Sequence, residues 1–287
     1  MKKLTAVVFA HKKSDDIRDH TPYMPIQLGK ALHPDLDLGY TCDNTGNNIS
    51  HKNATWNELT GIYWIWQNLK DTEYIATCHY RRYLDAEQIE KNIDRYFQDT
   101  DILVANTHFF RSRDGVMDGL CTAVSTEDAW ILIDTLLMMH PEYAEGIKMY
   151  FFDNHIFFKF NMFVMPQKLL DEYCNFIFPV LETVEKRIKE HPYSRQKRAI
   201  GYMGEWMLGA FIICKQLKFK EVPWTCPTNI QMSHTMPDKD LGPIQKAKRK
   251  IRYWLEKHRK HKPLPINIPD DIACGLASDG IELKHIK

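Results

Sequence analysis

The segment Tyr74–Tyr83, YIATCHYRRY, places a short apolar run directly before two adjacent arginines, Arg81 and Arg82. The run Tyr74–Cys78 has the length and composition of a buried strand, and the polar residues after it mark its end. Because neighbouring residues of an extended chain point to opposite faces, we expect one arginine to hold an anion and the other to pair with Asp85. The alternative is a pair of solvent-exposed surface arginines.

Outward from this segment, apolar strands alternate with helical patterns. Strands are predicted at 4–10, 38–42, 74–78, 101–105 and 156–165. Helices are predicted at 56–68, 86–98, 126–139, 167–190 and 201–215, a loop with a short helix at 11–37, and a loop at 222–245. This alternation predicts an α/β fold with a mixed, mostly parallel sheet. We divide the chain into one domain over residues 1–240 and a basic C-terminal extension over residues 241–287.

Polar side chains follow each of the first three predicted strands. His11 and Lys12 follow the first, Asp43 and Asn44 the second, and His79 the third. Ligands of open α/β sheets bind beyond the carboxyl ends of strands, so these side chains are candidates for a binding site. Cations with amide and imidazole donors suit an anionic ligand such as a diphosphate.

Two predicted helix starts carry further candidates. Lys52 and Asn53 precede the helix at 56–68, where they form either an anion site or a simple cap. Glu205 is expected to begin an apolar helix whose dipole keeps the carboxylate ionised. An ionised carboxylate can take a proton from an attacking hydroxyl, although the acid could equally contribute only to the stability of the helix.

Several common functional motifs are missing from the sequence. We find no phosphate-binding GxxxxGK[ST], dinucleotide-binding GxGxxG, GxSxG or HExxH motif, and none of the seven cysteines forms a CxxC pair. The Asp-x-Asp strings at 35–37 and 99–101 precede apolar runs, and we interpret them, with the third at 238–240, as turn residues. No metal site is therefore predicted.

The composition favours a folded protein that does not span a membrane. Of 287 residues, 44% are hydrophobic and 12% aromatic, which excludes disordered and low-complexity classes. The odd cysteine count without a signal peptide suits reduced thiols in a cytosol. No window of 18 uncharged apolar residues predicts a membrane-spanning helix. We expect a cytoplasmic protein.

The net charge of +1 conceals a strongly basic segment near the C-terminus. Residues 246–262 contain nine Lys and Arg and one acid, Glu256, so the segment carries +8 and the rest of the chain −7. Ile251, Tyr253, Trp254 and Leu255 are interleaved with these charges. The pattern fits a helix that lies on anionic lipid or a solvated helix packed through Trp254. Nucleic-acid binding is a weaker third interpretation, and we expect no nucleic acid as a partner.

Five segments together resemble the bacterial DUF4422 family of glycosyltransferases from capsular and exopolysaccharide gene clusters. The resemblance covers about residues 4 to 225. The segments are Tyr23-x-Pro25-Ile26-Gln27-x-Gly29, Asp43-x-Thr45-Gly46-x-Asn48-Ile49-Ser50-x-Lys52-Asn53, Glu58-Leu59-Thr60-x-x-Tyr63-Trp64-x-Trp66-x-Asn68, His79-Tyr80-Arg81-Arg82-Tyr83 and Gly201-Tyr202-x-x-Glu205.

The resemblance implies a GT-A-like domain that uses a nucleotide-activated sugar, which we expect to be a UDP-sugar. Some family members are regarded as galactofuranosyltransferases. GT-A enzymes usually place a metal-binding Asp-x-Asp after a central strand. Here Arg81 and Arg82 occupy that position, so we expect fixed cations to replace the metal and to stabilise the leaving UDP. Asn161 resembles, by position, an asparagine near the donor sugar.

These inferences combine into assigned roles. His11, Lys12, Asp43 and Asn44 are expected to line the nucleotide pocket, and Lys52, Asn53, Arg81 and Arg82 to face the diphosphate. His79 is a further expected donor-binding residue. Glu205 is the expected base, and the acceptor is an oligosaccharide or a lipid-linked saccharide at the inner face of the plasma membrane. A nucleotide-sugar hydrolase or phosphotransferase and a non-catalytic binding or assembly protein remain alternatives.

Overall fold

A seven-stranded sheet forms the centre of the protein. The computed structural model describes residues 1–110, 115–189, 197–227, 242–258 and 266–286. The strands are β1 (Lys2–Ala10), β2 (Tyr23–Gln27), β3 (Thr41–Cys42), β4 (Thr72–His79), β5 (Tyr83–Leu84), β6 (Ile102–Ala105), β7 (His108–Phe109), β8 (Ile156–Phe157), β9 (Phe163–Pro166), β10 (Phe219–Val222) and β11 (Trp224–Thr225). The sheet has the order β10-β6-β9-β4-β1-β2-β3, and only β9 is antiparallel to its neighbours. The predicted mixed, mostly parallel α/β sheet is confirmed.

Helices cover both faces of the sheet. They are α1 (Asn53–Trp56), α2 (Leu59–Asn68), α3 (Ala86–Lys91), α4 (Ile93–Tyr96), α5 (Gly115–Ala123), α6 (Thr126–Met139), α7 (Ala144–Asp153), α8 (Gln167–Arg187), α9 (Ala199–Cys214), α10 (Pro243–Lys257) and α11 (Asp270–Ser278), with single 3-10 turns at Ser50–Lys52 and Pro141–Tyr143. None of the described helices is long and apolar enough to cross a membrane.

The central strand β1 explains why its sequence is a nearly continuous apolar run. Successive side chains of a strand point to opposite faces, so Val7 and Phe9 enter a large core with helices α2, α6, α8 and α9, while Ala6 and Val8 enter a smaller core with α3 and α4. Strand β4 pairs with β1 in parallel, with Val8 opposite Cys78. The carboxyl ends of β1 and β4 therefore lie side by side.

Several predicted elements have different limits in the structure. The helix predicted at 56–68 is broken at Asn57. The strand predicted at 156–165 is two strands, which a turn at Phe160 and Asn161 separates. Asn57, Phe160 and Asn161 each have a positive φ. The helix predicted at 86–98 is two short helices, α3 and α4. Residues 11–37 contain the unpredicted strand β2 and no helix. Pro25 fits there because β3 pairs only with Ile26 and Gln27 beside it.

Helices α5 and α7 and strands β10 and β11 were also not predicted, because their short apolar segments become regular only through packing on the rest of the core. The Asp-x-Asp string at 238–240 and the domain boundary at residue 240 lie outside the described residues, and the division into domains remains a prediction.

Candidate functional site

A cavity of about 510 Å³ lies at the carboxyl ends of β1 and β4. Its titratable and charged lining residues are His11, His33, Glu58, His79, Arg81, Arg82, Arg198 and Glu205. A second cavity of about 590 Å³ between α7 and the end of α9 is lined by no arginine or histidine. The cavity beyond the strand ends is therefore the candidate site, as expected for an α/β sheet.

A tight turn brings both arginines into this cavity. The backbone N–H groups of His79 and Arg82 each donate to the carbonyl oxygen of the other residue, at 2.9 Å. The expectation that the two arginines point to opposite faces is wrong, because the segment turns instead of continuing as an extended strand. Asp85, the expected partner of one arginine, instead accepts the backbone N–H of Gln88 and caps α3.

The two guanidinium groups are positioned by aromatic rings instead of by acids. Arg82 lies 4.1 Å from the ring centroid of Phe160, and Arg81 lies 5.0 Å from that of Tyr80. The Nε atom of each arginine is buried and has no hydrogen-bond partner among the described residues. Burial and the neighbouring Arg81 lower the pKa of Arg82. Buried donors without acceptors are costly, so the chemistry of this pair is suited to an anionic ligand.

Two carboxyl groups face the arginines across the cavity. Glu58 precedes α2 and accepts a hydrogen bond from Asn161 Nδ2 at 3.1 Å, and Glu205 on α9 accepts one from the backbone N–H of Phe160 at 3.1 Å. Burial, with the charge of Glu205, raises the pKa of Glu58 to about 8. Burial also raises the pKa of Glu205, opposed by the Phe160 N–H and by Arg82 and Arg198. With a pKa of about 8, Glu58 is protonated near neutral pH. The Phe160 N–H and the two arginines favour the ionised form of Glu205.

The expected reason for the charge of Glu205 is wrong. Helix α9 begins at Ala199, six residues before Glu205, so the carboxylate does not lie at a helix N-terminus. Since the effect of the helix dipole fades after the first turn, the hydrogen bond from Phe160 and the two arginines hold the charge instead.

Strained backbone positions supply parts of this arrangement. Asn57, Phe160 and Asn161 have φ values of 51°, 68° and 48°. The turn at Asn57 ends α1 and places Glu58 at the cavity, and the turn at Phe160 directs its N–H to Glu205. A Cβ atom at Gly201 would collide with Nδ2 of Asn57, which explains a glycine inside a helix at this point. Non-glycine residues with positive φ are concentrated at functional sites.

Comparison with known proteins shows the family to which the chain belongs. Residues 5–216 match a family described as "Domain of unknown function (DUF4422)". The chain belongs to the DUF4422 family. It is also similar in structure to the WbbM bifunctional glycosyltransferase in its apo form, with a TM-score of 0.72 and 26% sequence identity. That match covers 82% of this chain and 47% of the other, so the chain spans about half the length of that protein.

The predicted resemblance to DUF4422 is thus confirmed, and so is the GT-A-like class of the fold. No curated protein matches the chain. The five segments that carried the resemblance end at Glu205, inside the matched range.

The structure brings together six of the predicted site residues of this DUF4422 chain. His11, Asn53, His79, Arg81, Arg82 and Glu205 all line the cavity. His79 Nε2 donates to the carbonyl oxygen of Phe160 at 2.7 Å, and burial lowers the pKa of His79 to about 4. A neutral His79 donates this bond, because a carbonyl oxygen only accepts, and so holds the turn that directs the Phe160 N–H to Glu205.

Asp43, predicted to line the nucleotide pocket, instead lies outside the cavity as a buried structural acid. Its carboxylate accepts hydrogen bonds from the backbone N–H groups of Gly29 and Lys30, from Ser50 Oγ at 2.5 Å and from Thr60 Oγ1 at 2.9 Å. These bonds join the loop after β2 to the start of α2. Removing such a buried acceptor costs roughly 1–3 kcal/mol or more of stability.

Four other predicted residues also lie outside the cavity lining. Lys52 pairs with Glu185 at 2.6 Å, Lys12 lies over the ring of Tyr80, and Asn44 is exposed in the turn after β3. Asn161 is fully buried behind the site, where its Nδ2 supports Glu58. None of these four side chains is among the described residues that line the cavity.

Glu58, Arg198 and Phe160 line the cavity and were not assigned a role from the sequence. Glu58 is an acid among apolar helix positions, and Arg198 belongs to a basic run before Gly201, so both carried a detectable signal. Phe160 carried no such signal in the sequence, since its role in the site depends on the positive φ of the turn.

The GT-A fold also raises the question of a divalent metal. The position after β4 holds two arginines in place of carboxylates, and no group of three His, Cys, Asp or Glu in the described ranges could hold a metal ion. This donor set does not fit Mg²⁺ or Mn²⁺, which prefer oxygen ligands.

Proposed function

We propose that the chain is a glycosyltransferase that moves a sugar from a UDP-sugar to a hydroxyl group of a saccharide acceptor in the synthesis of capsule, exopolysaccharide or O-antigen. The donated sugar is galactofuranose or another hexose. The observation that carries the proposal is the pair Arg81 and Arg82, whose buried Nε atoms have no partner among the described residues and which share one cavity with the carboxyl group of Glu205. Membership of DUF4422 and similarity to a bifunctional glycosyltransferase support it.

The diphosphate of the donor binds to the arginines in this proposal. Arg81, Arg82 and Arg198 bring three positive charges to the cavity, and Glu205 brings one negative charge. Guanidinium groups match phosphate oxygens with paired hydrogen bonds, and the Nε atom of each arginine in the turn has no partner among the described residues. The same groups stabilise the charge that develops on UDP as the glycosyl bond breaks, without a metal ion.

Glu205 acts as the general base. Its carboxylate accepts the proton of the acceptor hydroxyl while the hydroxyl oxygen forms a bond to the anomeric carbon and the bond from that carbon to UDP breaks. This single displacement inverts the anomeric configuration. Glu58 remains protonated beside it, so the cavity keeps its positive charge for the diphosphate.

A donor panel tests the function. We expect the purified protein to release UDP from one of UDP-galactofuranose, UDP-galactopyranose or UDP-glucose, to elongate a saccharide acceptor, and to keep this activity in EDTA. UDP release without elongation would instead indicate a hydrolase, and binding without release would indicate a non-catalytic protein. Activity that disappears in EDTA and returns with Mn²⁺ would disprove the metal-independent mechanism.

The carboxyl pair predicts a bell-shaped dependence of kcat/KM on pH. Activity should fall at low pH as Glu205, whose pKa is raised, takes up a proton. It should fall again above about pH 8, because Glu58 then ionises and its negative charge repels the diphosphate. Glu58→Gln, which cannot ionise, should lose the alkaline fall and keep the acidic one. An unchanged alkaline fall in this variant would show that another group titrates.

A further inference from the structure

Helix α10 is attached to the body through its polar side. Arg249 Nη2 donates to Glu221 Oε1 and to the carbonyl oxygen of Thr107, both at 2.8 Å. About two helical turns further along α10, Glu256 accepts a hydrogen bond from the backbone N–H of His155 at 3.0 Å. Arg249 and Glu256 are seven residues apart and so lie on the same face of the helix. This face is half-buried against the protein.

The opposite face of α10 is apolar and exposed. Ile244, Ile251, Trp254 and Leu255 have exposed fractions of 71%, 59%, 59% and 55%. At 100° per residue, Ile244, Ile251 and Leu255 fall within one narrow stripe, with Trp254 at its side and Arg249 and Glu256 almost opposite. A helix on a water-soluble surface normally packs its apolar face inward. The orientation of α10 is the reverse.

The exposed apolar residues are concentrated on this helix. Among the described residues, the other large hydrophobic side chains with high exposure are Met1, Leu32 and Met138, each in a different part of the chain. Four such residues on one helix of 15 residues form a contiguous apolar surface. A patch of this kind marks an interaction site.

Positive charge flanks the apolar stripe: at 100° per residue, Lys248 and Arg252 lie on one side of it and Lys250 lies beyond Trp254 on the other. Lys246, Lys248, Lys250 and Arg252 are exposed on α10, and the described part of the helix contains one acid, Glu256, which is directed inward. An apolar stripe with a Trp, bordered by Lys and Arg, is complementary to the acyl region and anionic headgroups of a bilayer. A protein that bound this face of α10 equally well would need an apolar groove with an acidic rim.

We propose that α10 is a docking helix that lies in the interface of an anionic lipid bilayer, with Ile244, Ile251, Trp254 and Leu255 inserted and the lysines at the headgroups.

The attachment of α10 gives this contact a consequence for the candidate site. Thr107 follows β6 and Glu221 lies near the end of β10, and both strands run parallel to β4. The carboxyl ends of β6 and β10 therefore lie at the same edge of the sheet as the arginine turn after β4. A membrane-bound α10 holds that edge close to the lipid. If the chain has the proposed function, the acceptor saccharide is carried on a lipid in the same membrane, and this part of the inference rests on that function.

Vesicle sedimentation tests the proposal on the full chain. We expect binding to vesicles of phosphatidylcholine with phosphatidylglycerol, weaker binding at high salt, and little binding to phosphatidylcholine alone. The double variant Ile251→Gln/Trp254→Gln should lower affinity by about tenfold or more for each side chain removed from the bilayer. Lys248→Gln/Lys250→Gln should lower it by about fivefold for each charge.

Met138→Gln is the matched control, since it replaces an exposed apolar side chain on α6 and should bind vesicles as the native chain does. Equal vesicle binding by the native chain and Ile251→Gln/Trp254→Gln would overturn the proposal. So would a native chain that binds no vesicles but is a dimer that the same variant converts to monomers, or one that binds a polyanion such as duplex DNA in preference to vesicles.

The assay separates this proposal from the proposed function because it requires no turnover. Ile251→Gln/Trp254→Gln should elongate a water-soluble acceptor at the native rate and a vesicle-borne acceptor more slowly. Vesicle binding without sugar transfer would leave the docking helix supported and the glycosyltransferase proposal refuted. Sugar transfer to both acceptors at native rates by the variant would refute the link to a lipid-borne acceptor.

Discussion

Replacing Arg82 by alanine is expected to lower kcat/KM for the UDP-sugar by about 10²- to 10³-fold. The guanidinium of Arg82 lies over Phe160, its Nε is buried without a partner, and it faces the cavity beside Arg81. Its loss removes a fixed positive charge at the point where UDP acquires negative charge. Steady-state kinetics and the affinity for UDP, measured by calorimetry, check the expectation.

Lysine at position 82 should restore only part of the activity, since an ammonium group keeps the charge but not the paired hydrogen bonds of a guanidinium. The matched control is Arg95→Ala, because Arg95 is an exposed arginine on α4 outside the cavity. Native affinity for UDP and native turnover in Arg82→Ala would remove the basis of the proposed function.

Glu205→Gln is expected to lower kcat by about 10²- to 10⁴-fold while the affinity for the donor stays close to native. Glutamine has the same shape and can still accept the N–H of Phe160, so the turn at Phe160 is preserved. It cannot accept the proton of the acceptor hydroxyl near neutral pH. The variant therefore separates loss of the base from loss of the site.

Single-turnover rates and donor binding are the measurements for this variant. Glu145→Gln is its control, because Glu145 is an exposed acid on α7 that does not line the cavity. Native turnover by Glu205→Gln would remove the base assignment. Loss of donor binding in the same variant would show that the carboxylate holds the cavity together and does not act on the acceptor.

Elements with strong local signals were predicted well. Helix α6 has the predicted limits, Thr126–Met139, because Ser125 caps it by accepting the N–H of Asp128 and two acids occupy its first turn. Strands β1, β4 and β6 were found because each is a compact apolar run between polar residues. Strand β2 was missed since Pro25 within it and Pro22 just before it suggested a loop, and only the pairing with β1 makes it a strand.

For the site, the sequence indicated the edge of the sheet and the arginine pair. It misjudged Asp43, whose position after a strand resembles that of a ligand-binding acid. Whether such an acid faces a cavity or accepts hydrogen bonds from its own loop depends on residues far along the chain, including Thr60. That distinction has no local signature.

Apolar periodicity in the amino-acid sequence was enough to predict the α/β class, and the resemblance of five segments was enough to predict the family. Residue type also predicted a cationic candidate site at the carboxyl edge of β4. These signals are local properties of the chain. Tertiary structure alone decided that both arginines face one cavity and that Glu58 joins Glu205 there. It also decided that α10 shows its apolar face to the outside. These features depend on left-handed turns at Asn57 and Phe160, on burial that shifts proton equilibria, and on contacts such as Arg249 with Glu221 between distant segments. None of these is encoded within a short stretch of chain.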